Sequence, residues 1–124
     1  YALDRIASLE WSDRTFVYPE DFSPADYFAD CFGITYDDMP AQEVVLKVPA
    51  LQANYLRTLP LHESQVERER TDGFSIFRYR VKLTFDFMQE IYSLGYWSVE
   101  VVAPPVLREA VISHLNQNMK CYEK

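Results

Sequence analysis

The sequence predicts an α+β protein built around a ferredoxin-like antiparallel sheet. Three observations support this fold class. Residues 43–102 carry strand and helix signals in the order β-α-β-β-α-β, the dipeptide Asp72-Gly73 separates two extended runs, and a long helical pattern follows Pro104-Pro105. This order is that of the split βαβ motif, and it predicts a four-stranded sheet with both helices on one face. We expect this sheet to be followed by an additional C-terminal helix.

Residues 1–12 predict a strand at the start of the chain. Leu3, Leu9 and Trp11 fall on one face of a period-two alternation, which is typical of a strand. Because the chain begins inside this strand, we expect it to be a piece of a longer protein. The backbone groups of the strand need partners, so we expect it to pair with another chain or with its own linker. A symmetric homodimer is the simplest closed solution.

Residues 15–40 are predicted to be a linker that contains a helix at about 24–32. Ser23 has the side chain of a helix N-cap, and Pro24 fits the first helical position. Gly33 is a favourable residue for the end of this helix.

The first half of the predicted sheet unit contains a strand at 43–48, a helix at 50–59 and a strand at 65–71. Pro49 ends the first strand, and Pro60 ends the helix. The second strand is charged on both faces, which suits an exposed edge, because charge opposes edge-to-edge pairing. In the usual strand order of this motif, the second and fourth strands lie at the edges.

The second half begins after the Asp-Gly turn, which is a strong hairpin signal between two extended runs. Residues 74–83 predict a strand, 85–94 a helix and 96–102 the last strand. Alternation in the last strand places Trp97 in the core, so its truncation to alanine is expected to be strongly destabilising. Apolar residues at steps of four predict the C-terminal helix at 106–122.

The composition predicts a folded, acidic domain. The chain has 124 residues, and 48% of them are hydrophobic, which is enough to build a core. Its net charge of −7 repels phosphate, so we expect the chain not to bind duplex DNA by itself. Its apolar runs are shorter than the roughly 20 residues that a membrane span needs. Cys31 and Cys121 fit no metal or disulfide spacing and predict reduced cysteines of a cytoplasmic protein.

Two short motifs occur in a fixed order. Leu-Asp-Arg-Ile stands at Leu3–Ile6, and Pro-Leu-His-Glu-Ser-Gln stands at Pro60–Gln65. Together they resemble the C-terminal part of bacterial WYL-domain transcriptional regulators. In that family a strand of the form aromatic-x-Leu-Asp-Arg-Ile closes the WYL domain, and a linker helix follows. A C-terminal extension, the WCX domain, then carries a Pro-x-His-x-Ser-Gln turn.

The resemblance implies a domain organisation. Residues 1–14 would be the last strand of a truncated WYL domain, 15–40 the linker, and 41–124 a WCX-like ferredoxin-like domain. A DNA-binding winged-helix domain and most of the WYL domain would lie upstream in the parent protein. The family is thought to work as dimers or as paired halves, so the resemblance implies a homodimer. It also implies that this region serves dimerisation and signal relay.

The turn residues His62, Ser64 and Gln65 allow two interpretations. Histidine is a common general base and serine a common nucleophile, but their spacing does not let them act together locally. Side chains that lead into a strand often hydrogen-bond to backbone groups instead. We therefore interpret these residues as a structural turn motif and expect no catalytic residues.

Basic residues concentrate in and around the second and third predicted strands. They are Arg68, Arg70, Arg78, Arg80 and Lys82. One interpretation is a ladder of cross-strand charge pairs with Glu43, Glu67 and Glu69. The other is a basic surface for an anionic effector or for an acidic patch on a partner. Arg5 has a similar ambiguity: it either points into a ligand groove, as the resemblance implies, or pairs with Asp4 of a neighbouring strand or with the linker.

The sequence thus favours a regulatory protein over an enzyme. The first hypothesis is the dimerisation and signal-relay region of a WYL-type regulator. The alternative is a ferredoxin-like module that binds a small molecule or anionic effector, with nucleic acid as one possible effector. The chain has no Gly-rich phosphate loop, no zinc spacing and no calcium loop, so we expect no cofactor and no metal.

Overall fold

The computed structural model describes residues 2–123. Within these residues the strands are β1 (Gln42–Pro49), β2 (Val66–Arg70), β3 (Phe74–Val81) and β4 (Glu100–Ala103). The α-helices are α1 (Pro24–Phe28), α2 (Ala50–Thr58), α3 (Phe85–Leu94) and α4 (Pro105–Tyr122). Single-turn 3-10 helices lie at Leu3–Arg5 and Gly95–Trp97. From β1 onward the element order is the predicted β-α-β-β-α-β followed by a helix.

The strands form one antiparallel sheet in the order β2-β3-β1-β4. This order confirms the predicted fold class and places β2 and β4 at the edges. The register of β1 against β3 pairs Val44 with Tyr79 and Leu46 with Phe77, so side chains of the two strands share faces. A bulge in β2 between Glu67 and Glu69 changes which of its side chains face the core.

One face of the sheet carries the core. Val44, Leu46 and Val48 of β1 are fully buried there, because alternate residues of a strand point to the same face. The helices α2 and α3 contribute buried apolar residues to the same cluster, among them Leu56 and Phe87. Both helices therefore cover this inner face, as the sequence predicted.

The C-terminal helix α4 packs beside β4 and α3. Leu107 in its first turn is 1% exposed and belongs to the core cluster. Farther along, the ring of His114 stacks on Tyr92 of α3, with 4.0 Å between the ring centroids. Leu115 and Met119 remain more than half exposed, so the apolar spacing that predicted this helix is only partly used for packing.

The predicted strand at residues 1–12 is wrong for the part that the structure describes. Leu3–Arg5 forms a 3-10 turn, and residues 2–22 are exposed without strand structure. A strand needs a neighbour that takes its backbone hydrogen bonds, and no segment among residues 2–123 lies beside this one. The assignment of residues 1–14 to the end of a WYL domain stays a prediction.

The linker helix is shorter than predicted and ends at Phe28. Ser23 caps it as expected: its Oγ accepts from the backbone N–H of Asp26 at 3.3 Å. The chain then turns so that the carbonyl of Asp30 accepts from the N–H of Lys82 at 2.8 Å. The helix ends at Phe28, and the residues that follow it contact the folded domain instead of continuing the helix.

The placement of Trp97 in the core is also wrong. α3 continues into the 3-10 turn at Gly95–Trp97, and Ser98 adopts a left-handed φ of 60°. The strand alternation therefore starts later than the sequence suggested, at Val99, which is half-buried, and reaches the core with Val101. Trp97 is 49% exposed and lies beside a groove between helices.

Candidate functional site

The motif turn between α2 and β2 is held together by its own polar side chains. The Oγ of Ser64 lies 2.8 Å from Nδ1 of His62. The same oxygen donates to the carbonyl of Arg80 at 3.1 Å and accepts from the N–H of Arg80 at 2.9 Å. The hydroxyl of Ser64 thus bonds both backbone groups of Arg80, as the backbone of a paired strand residue would, at the end of the β2–β3 ladder.

Gln65 ties the same turn to α2 and to the core. Its Nε2 donates to the carbonyl of Leu56 at 2.7 Å. Its Oε1 accepts from the N–H of Leu61 at 3.2 Å and from the hydroxyl of Tyr79 at 2.8 Å. Burial raises the pKa of Tyr79, so its hydroxyl stays protonated and donates. These contacts use the amide for structure and leave it no free role toward a substrate.

The face of the sheet opposite the helices is uncovered by any described element. We call it the outer sheet face. It includes the apolar residues Val45, Val66 and Ile76, the basic residues Lys47, Arg68, Arg78 and Arg80, and the carboxylates Glu43, Glu69 and Glu100. Arg68, Arg78 and Arg80 line a shallow groove of about 170 Å³ on this face. Glu43 supplies the single carboxylate of that lining and lies 3.6 Å from Arg78. The groove therefore carries an excess of positive charge.

The other basic residues singled out in the sequence lie elsewhere. Arg5 is exposed and lines a separate cavity formed by residues 2–9. Arg70 pairs in register with Ser75 beyond the bulge and does not line the basic groove. Lys82 is bound by the linker: its Nζ donates to the carbonyl of Asp37 at 2.6 Å and lies 4.3 Å from the ring centroid of Tyr36. The structure thus gathers three of the six basic candidates.

Glu67 forms an ion pair with Arg57 on the inner face of the sheet. Its carboxylate accepts from Arg57 in bidentate fashion, with N···O distances of 2.6 and 3.0 Å. Arg57 also donates to the Oγ of Ser75 at 3.0 Å. The hydrogen bonds from Arg57 lower the pKa of Glu67 from 4.5 to about 2, with a further contribution from Ser75. Glu67 is therefore unavailable to the basic groove, contrary to the charge ladder that the sequence suggested.

The sequence did not reveal an anchor that fixes the linker to the folded domain. Oδ2 of Asp86, in the first turn of α3, accepts from the N–H groups of Ile34 and Thr35 at 2.9 and 2.8 Å. These hydrogen bonds, first the one from Thr35, lower the pKa of Asp86. Phe32 packs edge-to-face on Phe87, with 5.5 Å between centroids. No local pattern could have signalled these contacts, because about fifty residues separate the partners in the chain.

A second feature that the sequence missed is an apolar groove between α2 and α3. It has a volume of about 520 Å³ and includes Tyr55, Leu59, Leu94 and Trp97 in its lining. Glu90 is the charged residue of this lining. The sequence did hold a signal of this groove, since Tyr55 on α2 and Leu59 directly after it are apolar residues that the core does not use.

Clusters of metal-ligating side chains, cysteine pairing and long apolar helices can be checked within residues 2–123. Among residues 2–123, no three side chains of His, Cys, Asp or Glu are placed to hold a metal ion. Both cysteines, Cys31 and Cys121, are unpaired. None of the helices in this range is both long and apolar enough to cross a membrane.

The fold and its contacts define a class: a small α+β domain with an N-terminal linker fixed to its sheet and its third helix. A comparison with family models matches the WCX domain over residues 40–117. This match covers more than half of the chain, and the chain therefore belongs to the WCX domain family. It supports the predicted WYL-associated C-terminal region. A search of curated proteins found no match.

Proposed function

We propose that this chain is the C-terminal dimerisation and signal-relay region of a bacterial WYL-type transcription regulator. The observation that carries the proposal is the linker anchor, which joins residues 30–37 to the WCX domain through Asp86 and Lys82. A linker that hung free could not transmit a displacement. A linker that is hydrogen-bonded through both its N–H groups and its carbonyls moves together with the domain.

The anchor reaches the sheet by a short path. Lys82 directly follows β3, and its backbone N–H and its Nζ both donate to linker carbonyls, those of Asp30 and Asp37. β3 also carries Arg78 and Arg80 of the outer sheet face. A change in linker position therefore acts on the strand that presents the basic groove. We propose that this mechanical continuity is the route of signal relay.

The proposed parent protein binds DNA through an N-terminal winged-helix domain upstream of this chain. This chain itself has no enzymatic role in the proposal. Its setting is the bacterial cytoplasm, where unpaired thiols such as those of Cys31 and Cys121 persist. Reading the gene upstream of Tyr1 tests the assignment: a winged-helix domain followed by a WYL domain is expected, and an unrelated domain would overturn it.

Two measurements on the chain test dimerisation and relay. Light scattering coupled to size exclusion at about 100 µM, far above the Kd of a standard interface, should give the mass of a dimer. The variant Asp86→Ala should release residues 30–37, seen as faster amide exchange there, and should weaken the dimer. Asp72→Ala, in the exposed hairpin turn, is the matched control and should change neither quantity. A strictly monomeric chain at this concentration would contradict the dimerisation proposal.

A second candidate function is binding of an anionic effector. It is favoured by the three arginines that line one groove with a single carboxylate. Guanidinium groups bind phosphate and carboxylate oxygens in bidentate geometry, which suits a small anion in such a groove. Calorimetric titration with pyrophosphate tests it: saturable binding that is lost in Arg68→Gln/Arg80→Gln is expected. Equal heats from the wild type and this variant would exclude the groove as the site.

A further inference from the structure

The charge of the chain is divided unevenly along its length. Residues 1–40 contain nine acidic and two basic residues, which accounts for the entire net charge of −7. Residues 41–124 contain ten of each and are neutral overall. A strongly acidic arm and linker thus precede a neutral domain that gathers three arginines in one groove of its outer sheet face. The acidic segment and this local cluster of arginines are opposite in sign, which favours contact between them.

The outer sheet face has the mixed character of an interface. Its groove combines Arg68, Arg78 and Arg80 with Val66, which is 44% exposed. Val45 and Ile76 lie beside Arg78 and Lys47 in the strand register and are half-buried. Apolar side chains surrounded by long basic ones are typical of surfaces that bind a protein segment, because arginine stems add apolar area while their heads select charge.

The linker contains a segment with the complementary composition. Thr15–Phe22 reads Thr-Phe-Val-Tyr-Pro-Glu-Asp-Phe and has no helix or strand of its own. Phe16, Val17 and Tyr18 are 83%, 93% and 70% exposed. Glu20 and Asp21 follow at once, so aromatic and acidic groups lie side by side. This segment has apolar area to bury and negative charge to neutralise.

We propose that Thr15–Phe22 of one copy of this chain lies across the outer sheet face of a second copy, with Glu20 and Asp21 near the arginines of the groove. The segment turns at Glu20 and Asp21, where the N–H of Phe22 donates to the carbonyl of Pro19 at 3.4 Å. Once this turn opens, eight extended residues span about 26 Å, which matches the eight residues of β3. Its aromatic residues then cover the apolar residues of the face. The inference rests on the proposed dimerisation and names the surface that carries it. It replaces the soluble anion of the second candidate function on the same arginines.

The occupant is the second copy because the chain's own segment does not use this face. Residues 30–37 are fixed at the end of β3 and the start of α3 by the anchor contacts. The residues before Ser23 nevertheless project from the domain, and every one from Ala2 to Phe22 is exposed. In a two-fold dimer the exchange is reciprocal, so both outer faces are covered at once.

A charge swap tests the proposal with full-length chains. In one variant Arg68→Glu/Arg80→Glu reverses the sheet face, and in the other Glu20→Lys/Asp21→Lys reverses the segment. Arg78 is left unchanged because it already pairs with Glu43. Each variant alone should dimerise about tenfold or more weakly than the wild type, because like charges then meet at both interfaces. Mixing the two variants should restore the wild-type dimer, since both reciprocal interfaces become complementary again.

Controls separate this effect from general charge. Arg70→Glu/Lys120→Glu and Glu109→Lys/Glu123→Lys make the same changes in net charge at exposed positions away from the groove, and they should dimerise normally. Circular dichroism should show that all variants are folded. Sedimentation equilibrium gives the dissociation constants. A wild-type dimer that ignores both reversals, or two weakened variants that fail to restore each other on mixing, overturns the inference and leaves the proposed dimerisation standing.

A monomeric wild type has a different meaning: it refutes the dimerisation on which this inference rests. Pyrophosphate separates the two occupants of the groove. If the segment occupies it, pyrophosphate should shift the wild type toward monomer. Saturation of the groove in an undisturbed dimer would assign the arginines to the anion and overturn the docking.

Discussion

The carboxylate of Asp86 occupies the space that a side chain at Gly33 would need. A Cβ built on Gly33 would lie 2.6 Å from Oδ2 of Asp86, and Gly33 has a left-handed φ of 70°. The same Oδ2 holds the N–H groups of the next two residues, Ile34 and Thr35. A glycine on the linker and an acid on α3 thus lie in direct contact, with no room for a side chain at position 33.

Gly33→Ala should therefore detach the linker. A left-handed conformation costs an alanine about 1–2 kcal/mol, and the clash with Asp86 adds to that cost. We expect faster amide exchange at Ile34 and Thr35 and a lower free energy of unfolding. Gly73→Ala is the matched control, since a Cβ there meets no atom within 4 Å. Equal protection of Ile34 in the wild type and in Gly33→Ala would show that the linker anchor does not depend on this glycine.

Acid should weaken the fold through Glu67. Its pKa is about 2 in the folded protein against 4.5 ordinarily, so its ion pair with Arg57 stabilises the fold fully above pH 4.5. The stabilisation is lost as the pH falls from 4.5 toward 2. Urea unfolding at several pH values should show the wild type approaching Glu67→Gln over this range. Glu69→Gln, on the solvent side of the same strand, is the comparison and should follow the wild type throughout.

Removal of the Gln65 side chain should cost more than a surface truncation. Gln65→Ala leaves the hydroxyl of Tyr79 and the carbonyl of Leu56 without their partner, and an unsatisfied buried group costs about 1–3 kcal/mol. Gln89→Ala, exposed on α3, should be nearly neutral. In a double-mutant cycle with Tyr79→Phe, a coupling energy near zero would show that the Gln65–Tyr79 hydrogen bond contributes nothing.

Truncation of two aromatic residues should have unequal effects. Phe87 is fully buried, so Phe87→Ala should lose about 3–5 kcal/mol of stability. Trp97 is 49% exposed at the rim of the helix groove, so Trp97→Ala should lose about 1 kcal/mol or less. Chemical denaturation measures both. A loss at Trp97 comparable to that at Phe87 would contradict the observed position of the indole.

The chain should not bind random duplex DNA at physiological salt. Its net charge of −7 opposes the phosphate backbone, and the outer-face arginines are too few to reverse that repulsion. Fluorescence anisotropy with a labelled duplex should show no binding at micromolar protein. Submicromolar affinity would refute this expectation and would assign a nucleic-acid role to the chain.

The sequence predicted the sheet well because its signals are local. Alternation in β1, the Asp72-Gly73 turn and the charged edge strand β2 each needed only neighbouring residues to be recognised, and the strand order followed from the motif. Trp97 was misplaced because a continuation of α3 into a 3-10 turn moves the start of the strand from Tyr96 to Glu100, and periodicity cannot detect such a shift. Of the candidate basic site, Arg68, Arg78 and Arg80 come together, because two of them alternate on one strand and the third lies on its neighbour.

The linker anchor and the bulge in β2 could not be predicted in this way. Asp86 accepts from the backbone N–H groups of Ile34 and Thr35. Almost every residue type has such a group, so the sequence does not indicate which residues Asp86 contacts. The bulge follows Glu67, so Glu67 lies on the inner face beside Arg57 while Glu69 pairs with Ile76 on the outer face. The two acids that alternation would place together are thus on opposite faces. Both features depend on the tertiary structure, because each requires contacts between residues that are distant in the chain.

The uneven charge of the chain has a colloidal consequence. The domain at residues 41–124 has no net charge near neutral pH, so two such domains meet without long-range repulsion. It also exposes an apolar groove and a mixed outer face. The acidic residues before Pro40 therefore act as the solubilising part of the molecule. Proteolysis within that region would leave a fragment that precipitates most readily at the pH of the cell.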